Sequence, residues 1–100
     1  MSEKLKIDLP IAVEGKYDKI KLASIVDANI ITTGGFGIFS SDEKKLLIRR
    51  LAEPRGIIVL TDSDGAGLVI RNYFRSILPP DKLIHLYIPQ ISGREKRKRQ

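Results

Sequence analysis

Ile57-Ile58-Val59-Leu60-Thr61-Asp62-Ser63-Asp64-Gly65-Ala66-Gly67 joins an unbroken apolar run to two aspartates and two glycines. The run is short, largely β-branched and preceded by Gly56, which predicts a strand buried on both faces, as in a parallel sheet. Residues i and i+2 of a strand share a face, so Asp62 and Asp64 are expected to leave the sheet edge on one side and to repel each other. A divalent cation between them removes that repulsion, and hard carboxylate oxygens suit Mg²⁺. Ile11-Ala12-Val13-Glu14-Gly15 repeats the spelling earlier in the chain, an apolar strand closed by an acid and a glycine. Glu14, Asp62 and Asp64 together form the candidate metal site.

Apolar runs alternate with amphipathic segments, the pattern of βαβ units and of an α/β fold with a four-stranded, mainly parallel sheet flanked by helices. The first strand spans Ile11 to Glu14. A helix over Asp18 to Val26 is expected to bury Ile20, Leu22, Ala23, Ile25 and Val26. Asn29 to Thr33 reads as the second strand, and Gly34-Gly35-Phe36-Gly37 as a loop. Ser41 is placed to cap a second helix with Leu46, Leu47, Ile48 and Leu51 on its apolar face, and Pro54 ends it. Ile57 to Thr61 is the third strand. A third helix over Gly67 to Leu78 is expected to bury Leu68, Ile70, Phe74 and Ile77, and Leu83 to Ile88 is the fourth strand. In open α/β sheets ligands bind beyond the carboxyl ends of the strands. Glu14, Gly34-Gly35 and Asp62/Asp64 all fall on that rim.

Each feature also has a plainer explanation. Asp62 would close an Asx-turn and Asp64 would cap the next helix, although that accounts for one aspartate better than for two. An EF-hand loop opening at Asp62 needs a glutamate at its twelfth position, where Tyr73 stands, so the calcium reading fails. Glu14 beside two like charges would have a raised pKa suited to a general acid or base; the alternative is an ion pair with Lys16 or Lys19. Gly34 and Gly35 would present backbone N–H groups to a phosphate or form an ordinary turn. Phe36 and Phe39 would stack on bases or pack on the core. Lys16 and Arg71 are candidate phosphate contacts at the rim, and His85, among apolar neighbours, reads as structural.

Composition narrows the classes. With 42% hydrophobic residues in 100, the chain has the makeup of one small folded domain, expected over residues 5–90. It has no cysteine, so disulfides and thiolate metal sites are excluded, and no apolar run approaches the roughly 20 residues of a membrane span. A cytoplasmic location is the default expectation. The net charge is +6, and most of it sits in Arg94-Glu95-Lys96-Arg97-Lys98-Arg99. Residues 91–100 are expected to be a basic tail or the start of a linker to a C-terminal domain absent from this chain. Arg94, Lys96 and Arg97 are its candidate nucleic-acid contacts.

The pairing of Val13-Glu14-Gly15-Lys16 with Thr61-Asp62-Ser63-Asp64-Gly65-Ala66-Gly67 resembles the Toprim domain, whose signature is a glutamate after the first strand and Asp-x-Asp after the third. The resemblance covers about Leu5 to Ile88. Gly67, Ile70 and Arg71 after the aspartates, with the closing Gly-Arg-Glu-Lys-Arg-Lys, are similar to the ribonuclease M-five group, which matures 5S ribosomal RNA. The chain departs from that group at Gly65-Ala66, where a bulkier pair is usual. The resemblance implies a Mg²⁺-dependent endoribonuclease in which Asp62 and Asp64 hold the metal and Glu14 acts as general acid/base or ligand. It implies RNA rather than DNA as partner, precursor 5S ribosomal RNA above all, with a ribosomal protein or ribonucleoprotein beside it and no membrane. Toprim relatives leave two alternatives: a non-catalytic nucleic-acid-binding module, or a DNA-directed nuclease, primase or topoisomerase-like enzyme.

Overall fold

The computed structural model describes residues 3–33, 42–62 and 65–88. The elements run β1 (Leu5–Lys6), β2 (Ile11–Val13), α1 (Lys16–Ala23), β3 (Val26–Asp27), β4 (Ile30–Thr32), α2 (Asp42–Ala52), β5 (Ile57–Thr61), α3 (Gly65–Ile77), a 3₁₀ turn (Pro80–Lys82) and β6 (Leu83–Tyr87). Four strands form one sheet in the order β4-β2-β5-β6, and every pair in it is parallel. This is the α/β architecture expected from the sequence.

Parallel strands need cover on both faces, and the alternation along β2 and β5 shows how it is supplied. Ala12, Ile57 and Val59 meet Ile48 and Ala52 of α2 and Ile70, Phe74 and Ile77 of α3 in one core. Ile11, Val13 and Ile58, the intervening residues, meet Val26 and Ile30 in a second core, against which Leu22 and Ala23 of α1 pack. Side chains alternate between faces with period two, so one apolar run feeds two cores. Gly56 admits the chain into β5 with φ of 111°, and a Cβ there would stand 2.9 Å from the Lys82 carbonyl oxygen. That is a conformation and a clearance suited to glycine alone.

Three helical expectations need correction. The first helix starts at Lys16, not Asp18, because the Asp18 carboxylate accepts from the Gly15 N–H at 3.2 Å and secures the first turn. It also ends at Ala23; Val26 belongs to β3, which pairs with β1, a strand whose two exposed residues carry no apolar pattern. Ile20 and Ile25 are therefore 60% and 62% exposed instead of buried. In α2 the inward side is Ile48 and Ala52, while Leu46 and Leu47 face solvent. In α3, which begins at Gly65, Leu68 is exposed and the buried set is Gly67, Ile70, Arg71, Phe74 and Ile77. The Gly34–Gly37 loop and the Ser41 cap lie outside the described residues.

Candidate metal and nucleic-acid site

The register of the two central strands sets the geometry of the rim. Val13 of β2 stands opposite Leu60 of β5. Continuing one step puts Glu14 level with Thr61, one residue short of Asp62. Neighbouring strands lie about 4.8 Å apart, so Glu14 and Asp62 leave adjacent strands at the same carboxyl edge, offset by one residue. Both are half-buried.

The backbone beneath Glu14 is braced from the next strand. Thr33, 2% exposed, donates its N–H to the Val13 carbonyl at 3.0 Å and its hydroxyl to the Glu14 carbonyl at 3.2 Å. Gly15 then turns the chain directly into α1. Lys16, the first residue of that helix, is exposed and rests its ammonium 5.9 Å from the Tyr17 ring. It is on the rim, two residues from Glu14, with its charge open to solvent.

The end of β5 is held still more closely. The Thr61 hydroxyl donates to the Asp62 carbonyl at 2.9 Å, and the Ile88 N–H donates to the Thr61 carbonyl at 3.0 Å. Gly67 of α3 lies directly under this turn. A Cβ on it would overlap the Asp62 carbonyl oxygen and stand 2.7 Å from the Thr61 hydroxyl.

Arg71 is not where a phosphate contact should be. It is 1% exposed, and its guanidinium donates to the carbonyls of Val59 at 3.2 Å, Thr61 at 3.3 Å and Leu86. Its Nη1 also meets His85 Nδ1 at 2.8 Å, and the Tyr87 ring stacks on it at 3.8 Å. Arginine can only donate, so His85 Nδ1 accepts and the imidazole is neutral with its proton on Nε2. Burial lowers the pKa of Arg71, with Tyr87 opposing and Arg75 adding to that shift. Neither Arg71, His85 nor the two threonines was legible as a brace, since a charged residue in a helix ordinarily reads as surface.

Burial first, then the Arg71 and Arg75 charges, hold the His85 pKa below its ordinary value. In the unfolded chain the imidazole takes a proton near pH 6.5. Below that pH the unfolded state binds more protons, so stability is complete above it and is lost on acidification. His85 is the only histidine of the chain, so no other imidazole contributes. Urea denaturation at pH 7.5 and pH 5.5 is expected to show a lower midpoint at the acidic pH, and His85→Gln to lose most of that difference. An equal pH dependence in the variant overturns the assignment.

Among the described residues no three His, Cys, Asp or Glu side chains cluster as a metal-holding group. Asp64, the expected third carboxylate, lies outside the described residues, as do Gly34, Gly35, Arg94, Lys96 and Arg97. Glu14 and Asp62 fit a hard divalent cation in kind: both are oxygen donors, and they come from neighbouring strand ends.

No helix among the described residues is long and apolar enough to cross a membrane. No family model matches the chain. Curated relatives do. It is 45% identical over 83 residues to a Ribonuclease M5 of Clostridium botulinum, covering 83% of the chain and 44% of that protein. It is 38% identical over 98 residues to the Ribonuclease M5 of Lactococcus lactis, covering 98% and 46% respectively. With the Ribonuclease M5 of Bacillus subtilis it shares 36% identity over 95 residues, 95% of the chain and 49% of the relative. The chain thus spans about half the length of the relatives it matches. Across the segment they share, the chain belongs to the Ribonuclease M5 type of Toprim protein.

Proposed function

We propose that the chain is the Mg²⁺-dependent catalytic domain of an endoribonuclease that cuts structured RNA, with precursor 5S ribosomal RNA as substrate. The observation that carries this reading is the emergence of Glu14 and Asp62 from adjacent parallel strands at one rim. The name borne by the relatives, Ribonuclease M5, supports the reaction class.

In this reading Asp62 and Asp64 supply carboxylate oxygens to the cation. Mg²⁺ held by these residues would supply charge neutralisation at the scissile phosphate and activation of the attacking water. Glu14, on the neighbouring strand, moves the proton as general acid or base. Lys16, with its charge free in solvent, meets the RNA backbone beside the cleavage point. Arg94, Lys96 and Arg97 add sequence-independent attraction to phosphates farther away. Arg71 takes no part in phosphate binding, because it is buried and its terminal nitrogens are engaged by three carbonyls and His85.

The test is incubation with precursor 5S ribosomal RNA, with Mg²⁺ or with EDTA, and mapping of the ends produced. Discrete Mg²⁺-dependent cuts are expected. Removing Arg94–Gln100 is expected to weaken RNA affinity and flatten its salt dependence, while cleavage at saturating RNA persists. Binding without cleavage at any Mg²⁺ concentration overturns the enzymatic reading and makes the chain a binding module.

A further inference from the structure

Arg71 is a costly residue to place where it stands. A buried cation must recover its lost hydration through well-made hydrogen bonds, and an apolar side chain of similar size is often as stable or more so. Its partners are also unusual in their distribution. From α3 the guanidinium reaches two carbonyls of β5, Val59 and Thr61, and one of β6, Leu86, while Nη1 also meets His85 of β6. The terminal nitrogens are fully engaged and Nε is buried without a partner, so no donor is turned towards solvent. The Tyr87 ring closes over the group. Arg71 follows Gly67 by four residues, one helical turn, so the two lie on the same face of α3. Both address the same strand end: Gly67 lies under the Asp62 carbonyl and Arg71 holds the Thr61 carbonyl. The Thr61 carbonyl also accepts the Ile88 N–H, which ties the exits of β5 and β6 to one atom.

We propose that Arg71 is a positioning residue for the rim: by clamping the carboxyl ends of β5 and β6 from α3, it sets where Asp62 presents its carboxylate to a divalent cation. The clamp stands on the contacts above; its consequence for the cation rests on the metal reading of Asp62. Arginine is required because a planar fork with five donors spans several carbonyls at once, and a lysine ammonium cannot.

The experiment compares the full chain with Arg71→Lys and Arg71→Met in three measurements. Amide hydrogen exchange at Thr61 and Ile88 is expected to accelerate about tenfold or more in both variants while Ile11 to Val13 stay protected, a local and not a global opening. Mn²⁺, used as a paramagnetic probe, is expected to bind about 10- to 100-fold more weakly, the usual loss when a group supporting a metal ligand is removed. RNA affinity in EDTA is expected to be unchanged. Unchanged exchange in a folded Arg71→Lys protein overturns the clamp. A uniform loss of RNA affinity, with a salt slope shallower by about one, overturns it in favour of a phosphate contact. If Arg71→Met does not fold, Arg71→Lys decides, because it keeps the charge and loses the fork. If the wild-type chain itself binds no Mn²⁺, the metal reading of Asp62 fails, and the exchange measurement still decides the clamp.

Discussion

Glu14→Gln is expected to lower the rate of RNA cleavage by at least about 10²-fold, the ordinary cost of removing a general acid or base, while leaving RNA affinity and the unfolding midpoint near those of the parent. The substitution keeps the shape of the side chain and removes only its charge and proton-transfer capacity. The backbone bonds around Glu14 do not depend on its charge. The Thr33 hydroxyl contacts the Glu14 carbonyl, and the Thr33 N–H contacts the Val13 carbonyl; both are backbone bonds that the variant retains. The capping of α1 depends on Asp18 and the Gly15 N–H, again not on the Glu14 carboxyl. A loss of cleavage with intact binding therefore reports on chemistry. Asp62→Asn separates the two roles: it is expected to raise the Mg²⁺ needed for half-maximal cleavage, since a carboxamide is a weaker ligand for a hard cation. Cleavage by Glu14→Gln at a rate comparable to the parent would remove Glu14 from the mechanism.

What the sequence disclosed and what it hid follow from the physics of each element. β5 was legible to the residue because a strand covered on both faces must be apolar throughout, and Ile57-Ile58-Val59-Leu60 has no other economical explanation. β1 and β3 were not, since two-residue strands are too short to show a period and β1 is exposed along its length. α1 misled for a related reason. Its apolar residues were followed past Ala23 into Ile25 and Val26, although the helical run had already stopped and Val26 faces a different partner.

The site divides along the same line. An acid ending an apolar strand is visible in one dimension, and Glu14 and Asp62 stand on neighbouring strand ends. Which strands are neighbours is a matter of topology, and no local pattern encodes the order β4-β2-β5-β6. The brace formed by Thr33, Thr61 and Arg71 was hidden altogether, because its bonds go to backbone carbonyls that every sequence possesses. Arg71 in particular could be recognised as buried only after β6 was seen to close over it.

Gly67→Ala brings that hidden layer into the open, and its sign is decided by two opposed effects. In an exposed helix interior, replacing glycine with alanine stabilises by about 1 kcal/mol through helix propensity. At position 67 the new methyl would overlap the Asp62 carbonyl oxygen and stand 2.7 Å from the Thr61 hydroxyl. The first of these is backbone and cannot swing away as a long side chain would. Overpacking of this kind costs about 1–3 kcal/mol and occasionally more, so the clash outweighs the propensity gain. Relief requires α3 to lift from the end of β5 or the Thr61–Asp62 turn to move outward. Either motion displaces the Asp62 carboxylate and lengthens the reach from Arg71 to the Thr61 carbonyl. The expected result is a lower denaturant midpoint together with a loss of Mg²⁺-dependent cleavage larger than the loss of stability alone produces at a temperature where the variant is still folded. Gly65→Ala is the control, since a Cβ there meets nothing within 4 Å; it is expected to leave cleavage intact and stability unchanged or slightly raised. Equal behaviour of the two alanine variants would show that the contact beneath Asp62 has no part in holding the rim.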